Sequence, residues 1–371
     1  MMRICILTSV HTAFDPRIFH KQAKTLAKAG YHVTLIAQHD KDEVVEGINI
    51  IAMPIPRNRS WRMLSTWRMF GLAHQQKADV YHFHDPELLP AGLLLKLLTK
   101  KPVIYDVHED YPGAILTKQW LPPPVRKPLS RLFNLLGQSA ASQLDYIVVA
   151  TDHIATKFKS TDKVATIKNY PILEKNAPGT RGEPGRPTLI YIGVLSEIRG
   201  ISDIVQAMSY LAHSRNASLI LCGKFYPAGY EETVRGLKGS DSVEYRGIVK
   251  PEVAGQQLGQ ATIGIVCFHP EPNHVNAMPN KLFEYMAAEL PVIASNFPLW
   301  KGIVEGNSCG LTVNPLDPAE IAGAIEYLLD HPDEARQMGE NGRRAVQEKY
   351  NWDSEGKKLL ELYERVSGGT S

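Results

Sequence analysis

Ile263-Gly-Ile-Val-Cys-Phe268, and after a short gap Asn276-Ala-Met-Pro-Asn-Lys-Leu-Phe-Glu-Tyr-Met-Ala287, read as a buried strand, a loop and a helix. The first segment is an unbroken apolar run of strand length. In the second, Leu282, Phe283, Met286 and Ala287 recur at helical spacing behind Pro279, which predicts a helix beginning near Met278. A strand that delivers the chain through a loop to a helix start leaves unpaired amide N–H groups and the positive end of the helix dipole at that loop. Lys281 adds a cation there and Glu284 an acceptor one turn later. Such an end suits an anion, a diphosphate among them.

The same alternation of short apolar runs and helical patterns extends through the chain, the mark of parallel sheets covered by helices. In the first half the expected strands are Arg3 to Thr8, Val33 to Ala37, Val80 to Phe83, Val103 to Asp106 and Tyr146 to Val149. Between the first two, Phe19, Ala23, Leu26 and Ala27 fall on one helical face and Gly30 stops the helix. Residues 174–187 then turn rich in proline, glycine and charge, the composition of an exposed linker. Strands resume at Thr188 to Gly193, Ser218 to Cys222, Val243 to Arg246, Ile263 to Phe268 and Val292 to Ala294. Two doubly wound α/β domains are expected, at 1–173 and 188–351, each with ligand positions at the carboxyl ends of its strands.

Composition narrows the functional classes. With 371 residues there is room for two cores, and a formal net charge of +2 is too mild to make nucleic acid the main partner. Cys5, Cys222, Cys267 and Cys309 form no C-x-x-C pair and read as core thiols of a reducing compartment. Arg3-Ile-Cys-Ile-Leu-Thr8 is too short for a signal-peptide core, and the apolar stretch Leu88 to Leu98 is short and interrupted by Lys96. A cytoplasmic protein is expected.

The helix start at Asn276–Ala287 resembles the sugar-nucleotide site of GT-B glycosyltransferases, specifically the retaining glycosyltransferase family 4. The resemblance covers nearly the whole chain, including 352–371, which is similar to the terminal helix that returns to the first domain in that family. It implies two Rossmann-like domains facing each other across a cleft, a nucleotide diphosphate sugar as donor, a hydroxyl acceptor of unknown identity, and neither cofactor nor metal. Family members carry two glutamates eight positions apart around the helix start; Glu284 matches the one that holds the ribose, and Asn276 stands where the other touches the donor sugar. The resemblance also makes Ala277 and Met278, between them, donor-binding positions. Tyr191-Ile-Gly-Val-Leu-Ser-Glu-Ile-Arg-Gly200 resembles the family's diphosphate segment, with Arg199 in place of a lysine and Val194 where a first cation is usual. Arg199, whose guanidinium can chelate phosphate oxygens, and Lys281 are the expected diphosphate ligands. Gly223 and Lys224 follow a buried strand, and the segment around Gly247 matches the place of the nucleobase. His108, at the end of Val103-Ile-Tyr-Asp-Val-His108-Glu109, matches the histidine placed beside the donor sugar. The implied catalytic set is His108, Asn276 and Arg199. No protein nucleophile is evident in such enzymes, and the departing phosphate takes the acceptor's proton.

Other positions carry two readings each. Asp15 and Arg17 follow the first strand and are acceptor-side candidates, while Asp15 before Pro16 also reads as a helix N-cap. His84 and Asp85 are acceptor-side or loop-ordering residues, and Glu109 is an acceptor-side candidate. Alternation puts His82 and His84 on one strand face, but no further spaced ligand supports zinc. Trp61, Leu64 and Trp67 share a helical face amid arginines in 57–70, a pattern that fits peripheral membrane contact and core packing alike. G-x-G-x-x-G, G-x-x-x-x-G-K-[ST] and G-x-S-x-G are all missing, which removes local support for dehydrogenases, kinases and serine hydrolases. A nucleotide-sugar epimerase of the same fold and a catalytically silent nucleotide-sugar binder are the alternatives.

Overall fold

A computed structural model describes residues 1–55, 58–118, 121–158, 161–173, 186–211 and 216–368. The chain divides into two compact units, Met1–Asn169 with Trp352–Ser371, and Tyr170–Asn351. Most of the expected linker, 174–185, lies outside the described residues. Its last two residues belong to the second unit's sheet: Arg186 donates to the carbonyls of Asn216 and Ala217, and Ser218 N–H donates to Pro187 O. The division falls at Asn169 rather than 173 because Tyr170 is buried edge-on against Phe283 and Tyr350 of the second unit.

The first unit is built on β1 (Arg3–Thr12), β2 (His32–Gln38), β3 (Glu43–Val45), β4 (Ile48–Met53), β5 (Val80–Phe83), β6 (Val103–Val107), β7 (Tyr146–Val149) and β8 (Val164–Thr166). Their order is β3-β4-β2-β1-β5-β6-β7-β8, parallel throughout except for the β3/β4 hairpin. β3, β4 and β8 were not expected from sequence. They are edge or near-edge strands, mixed in polarity because each lacks a fully covered face. The strand order reverses between β1 and β5, so the loops after these two strands diverge and leave a crevice at their carboxyl ends.

The helix after β1 opens as a π-helical segment, Pro16–Ala23, and continues as α-helix Lys24–Lys28. Asp15 caps it, its Oδ1 accepting from Arg17 N–H and Ile18 N–H at 2.8 and 3.0 Å. The terminal helix Trp352–Gly368 closes the same unit, burying Leu359, Leu362, Tyr363 and Val366 in the core of its sheet. Each such side chain contributes roughly 1.5–3 kcal/mol. Trp352 Nε1 donates to Thr25 Oγ1, and Glu355 accepts from Lys168 N–H.

The second unit carries β9 (Thr188–Ile192), β10 (Ser218–Cys222), β11 (Val243–Gly247), β12 (Ile263–Val266), β13 (Val292–Ser295) and β14 (Gly310–Val313) in the order β11-β10-β9-β12-β13-β14. Every neighbour is parallel, and the near-continuous burial of β9, β10, β12 and β13 is what a sheet covered on both faces requires. Here the order reverses between β9 and β12. The helix predicted near Met278 begins two residues later, at Asn280, because Pro279 takes extended backbone as the N-cap.

Beneath the first crevice lies a buried ion pair. Arg17 chelates Asp106 through Nη2 (3.1 and 2.9 Å) and Nε (3.2 Å) and donates Nη1–H to Ile167 O, while Gln22 donates to the same carboxylate at 2.6 Å. Removing one partner leaves a charge buried and unpaired. Asp106→Asn is therefore expected to lose about 3–5 kcal/mol, and the double change Arg17→Met/Asp106→Leu less than that, read as melting temperatures by calorimetry; equal losses would show that the pair is not the source.

Candidate functional site

In the second unit, three strand ends line up at the carboxyl edge. Gly193 after β9 has φ +139° and donates its N–H to Cys222 O; Gly223 after β10 has φ +151° and donates to Gly247 O at the end of β11. A Cβ at Gly223 would run into the Gly193 carbonyl oxygen, so only glycine permits this approach. A side chain at Gly193 would in turn sit 3.0 Å from Lys281 Nζ and 3.8 Å from Arg199 Nη1. Two cations thus converge on one bare strand end.

Each cation is positioned by ordinary packing. Arg199 ends a 3-10 turn, Glu197–Arg199, and lays its guanidinium over the Phe268 ring at 5.2 Å. Lys281, in the first turn of Asn280–Ala287, is buried, with its ammonium over Phe268 at 5.0 Å and Tyr191 at 5.1 Å. Burial first, and the Arg199 charge second, bring the Lys281 ammonium down to about 7, with Glu284 opposing. Val194, where a first cation was expected, is exposed and apolar; Lys281 fills that electrostatic place from a different element. The loop before the helix is held by Trp300 Nε1–H, which donates to Ala277 O at 2.7 Å, and by His269, 2.7 Å from Asp203. The helix start itself has no side-chain cap. Met278 is half-buried against the core, whereas Asn276 and Glu284 are exposed.

Beside these strand ends, a cavity of about 360 Å³ is lined by Gly223, Lys224, Phe225, Arg235, Tyr245 and Gly247 among others. Arg235 stacks on Tyr245 at 4.3 Å and is bonded to Glu231. Arg235, Glu231, Phe268 and Trp300 were not read from the sequence. Arg235 and Glu231 share the helix Tyr230–Arg235, while Phe268 follows β12 and Trp300 lies on the helix Pro298–Val304, so no local motif joins them.

In the first unit, the crevice holds a histidine pair. His108 Nε2 lies 3.1 Å from His11 Nε2, and His11 Nδ1 lies 3.1 Å from Asp15 Oδ2. Asp85 orders the irregular end of β1, accepting from Thr8 Oγ1, Ser9 N–H, Ser9 Oγ and Val10 N–H. The acceptor-side readings of Arg17, His84 and Asp85 are corrected, because all three are buried, Arg17 on Asp106 and His84 stacked on His82, while Asp85, holding Thr8 to Val10, has the ordering role that was its other reading. Asp15 caps its helix and faces His11; Glu109 is exposed at the end of β6. His82, His84 and Asp106 offer three ligand atoms within 4.8 Å of one another. That carboxylate already carries Arg17 and Gln22, so a dication would stand against a fixed guanidinium. Burial lowers His84 well below the ordinary histidine value and His82 to about 4, which keeps both rings neutral.

On the first unit's surface, helix Arg59–Gln75 leaves Trp61, Leu64 and Trp67 exposed and buries Met69 and Ala73 instead, which removes the core-packing reading of that stripe. Arg57 and the side chains of Arg59 and Arg62 lie outside the described residues. Among the described residues, no helix is long and apolar enough to cross a membrane.

A family profile described as Glycosyltransferase Family 4 matches residues 16–169, and one described as Glycosyl transferases group 1 matches residues 186–331. The chain belongs to the group 1 glycosyltransferases of family 4. It is a transferase, similar to the MMP alpha-(1->4)-mannosyltransferase of Mycolicibacterium hassiacum, with 25% identity over 78% of this chain and 72% of that protein. Among solved structures, sucrose-phosphate synthase from Thermosynechococcus elongatus superposes with a TM-score of 0.80 and 19% identity over 100% of both chains. An Anabaena protein in complex with UDP-glucose superposes at 0.74 and 13% identity, over 98% of this chain and 100% of that one. These likenesses show the GT-B fold.

The convergence of Lys281 and Arg199 has a consequence for stability. An unfolded lysine titrates near 10.4, far above the folded value of about 7, so the unfolded state binds the proton more tightly. Stability is then lost as pH falls from about 10 to 7 and stays low below that. Lys281→Met is expected to stabilise the protein by about 1–3 kcal/mol near pH 6 and by progressively less toward pH 10, read from thermal melts across that range; a gain independent of pH would overturn the assignment.

Proposed function

We propose that this glycosyltransferase moves a sugar from a nucleotide diphosphate sugar to an acceptor hydroxyl, with retention of configuration, in polysaccharide or glycoconjugate synthesis. The observation that carries the reading is the meeting of Arg199 and Lys281 over Phe268 at the bare Gly193 strand end. Two cations with an uncapped helix start beside them make a place for a diphosphate, and they do so without a metal. Glu284, one turn into that helix, takes the ribose hydroxyls. The cavity floored by Gly223 and Gly247 takes the base, with Lys224 at its edge. In the second unit Asn276 faces the sugar, with Ala277 and Met278 shaping its approach; in the first unit His108 is the catalytic candidate. Glu109 serves the acceptor.

Chemically, the site's work is to position reactants and stabilise charge on the leaving diphosphate. A lysine near neutrality suits this, since it gains its proton as the anion arrives and holds it more weakly once the anion leaves. UDP-glucose in the Anabaena structure supports a nucleotide-sugar donor here.

Calorimetric titration with UDP, GDP and ADP tests the assignment. One nucleotide is expected to bind selectively, with Arg199→Ala and Glu284→Ala each weakening it about tenfold or more. Binding should take up protons near pH 8 and weaken as pH rises further above 7, since only protonated Lys281 pairs with the diphosphate. Nucleotide binding that is unchanged in both variants would remove the site.

We further propose a cytoplasmic enzyme with a peripheral membrane contact through 57–70. All four thiols are unpaired and buried, consistent with a reducing compartment, and exposed Trp61, Leu64 and Trp67 offer an interfacial face. In flotation assays the protein is expected to rise with anionic vesicles, and Trp61→Ala/Trp67→Ala to leave most of it at the bottom; equal flotation of both would refute the contact.

A further inference from the structure

His11 enters the first unit's crevice from the end of β1, while His108 enters from the loop after β6. Their rings meet edge-on, with centroids 5.0 Å apart at 62°, and their Nε2 atoms are 3.1 Å apart. Two imidazole nitrogens at that distance hold exactly one proton between them; two lone pairs or two N–H groups facing each other repel.

The surroundings decide which ring donates. Asp15 gives Oδ1 to the helix N–H groups and Oδ2 to His11 Nδ1, which makes Nδ1 a donor. Asp85 Oδ1 lies 3.7 Å from His11 Nε2 and favours a proton there as well, and Glu109 adds negative potential. His108 faces a different set: Asp106 Oδ1 at 3.9 Å from its Nδ1, with Arg17, His84 and Tyr111 nearby. Its Nδ1 has no hydrogen-bond partner.

We propose that His11 is a positioning residue for His108: it donates from both ring nitrogens, to Asp15 and to His108, and so fixes the His108 ring with its own proton on Nδ1. This rests on the reading of His108 as a residue of the transfer site. Titration follows the same division. Burial disfavours charge on both rings, but the Asp15 hydrogen bond and the Asp85 charge raise His11 above the ordinary histidine value, whereas His108 stays below it. When His11 loses its Nε2 proton at higher pH, the contact survives only if His108 shifts its proton from Nδ1 to Nε2. That turns a lone pair toward Asp106. The pair is thus a tautomer switch set by pH.

The test uses the full chain labelled with ¹⁵N-histidine, followed by two-bond ¹H–¹⁵N spectra from about pH 5 to 9. Expected in the wild type is a neutral His108 with its proton on Nδ1 at the acid end, moving to Nε2 as His11 titrates. His11→Phe should abolish that coupled change, and His11→Gln, whose amide N–H reaches the same nitrogen, should keep the Nδ1–H form. Turnover of the nucleotide hexose selected by calorimetry should fall about tenfold in kcat for His11→Phe, with KM within about twofold, and recover in His11→Gln. A wild-type His108 that carries its proton on Nε2 throughout, or a His108 titration identical in His11→Phe, overturns the proposal, and the wild-type spectrum decides it even if a variant does not fold. Unchanged turnover in His108→Ala would instead strike the reading of His108, leaving the spectra to judge the pair.

Discussion

Gly223 and Gly193 approach so closely that no side chain fits between them, and the proposed donor site of the second unit depends on that contact. Parallel strands from β9, β10 and β11 end at one level, each in a glycine with positive φ, so backbone rather than side chains forms the edge. The bare edge leaves room for Lys281 to lie over Tyr191 and Phe268 and for Arg199 to join it. Lys281 is not there for stability: burial first, and the Arg199 charge second, work against its ammonium.

The first unit solves the opposite problem. Its crevice is crossed by carboxylates and histidines, and Arg17 anchors them by neutralising Asp106 from below. Burial works against the Asp106 charge, but the Arg17 guanidinium chelating it holds its carboxyl well below the usual carboxylate range. The buried histidines stay neutral, and only His11, nearer solvent and flanked by Asp15 and Asp85, is shifted toward the charged form. Protons are therefore sorted by depth, with mobile ones toward the mouth.

The family pattern and its departures fit together on these terms. Val194 and Asn276 stand where a cation and an acid are usual, yet Lys281 supplies positive charge to the same strand end from another helix. Arg199, replacing a lysine, gains a planar stacking surface on Phe268 that an ammonium uses less fully.

By itself, the sequence determined the α/β class, the central strands of both sheets, the helix start with Lys281 and Glu284, and the core placement of the four cysteines. Those are properties of short windows: apolar runs, helical spacing, glycine and proline at element ends. The edge strands β3, β8 and β14, and β4 beside the edge, escaped because half-covered or short strands lack that signal. Only the tertiary structure decided that Arg17, His84 and Asp85 are internal, that His11 meets His108, and that Arg199 shares Phe268 with Lys281. These are meetings between elements distant in sequence, brought together where strand order reverses, and no local pattern of residues encodes which side chains face each other there.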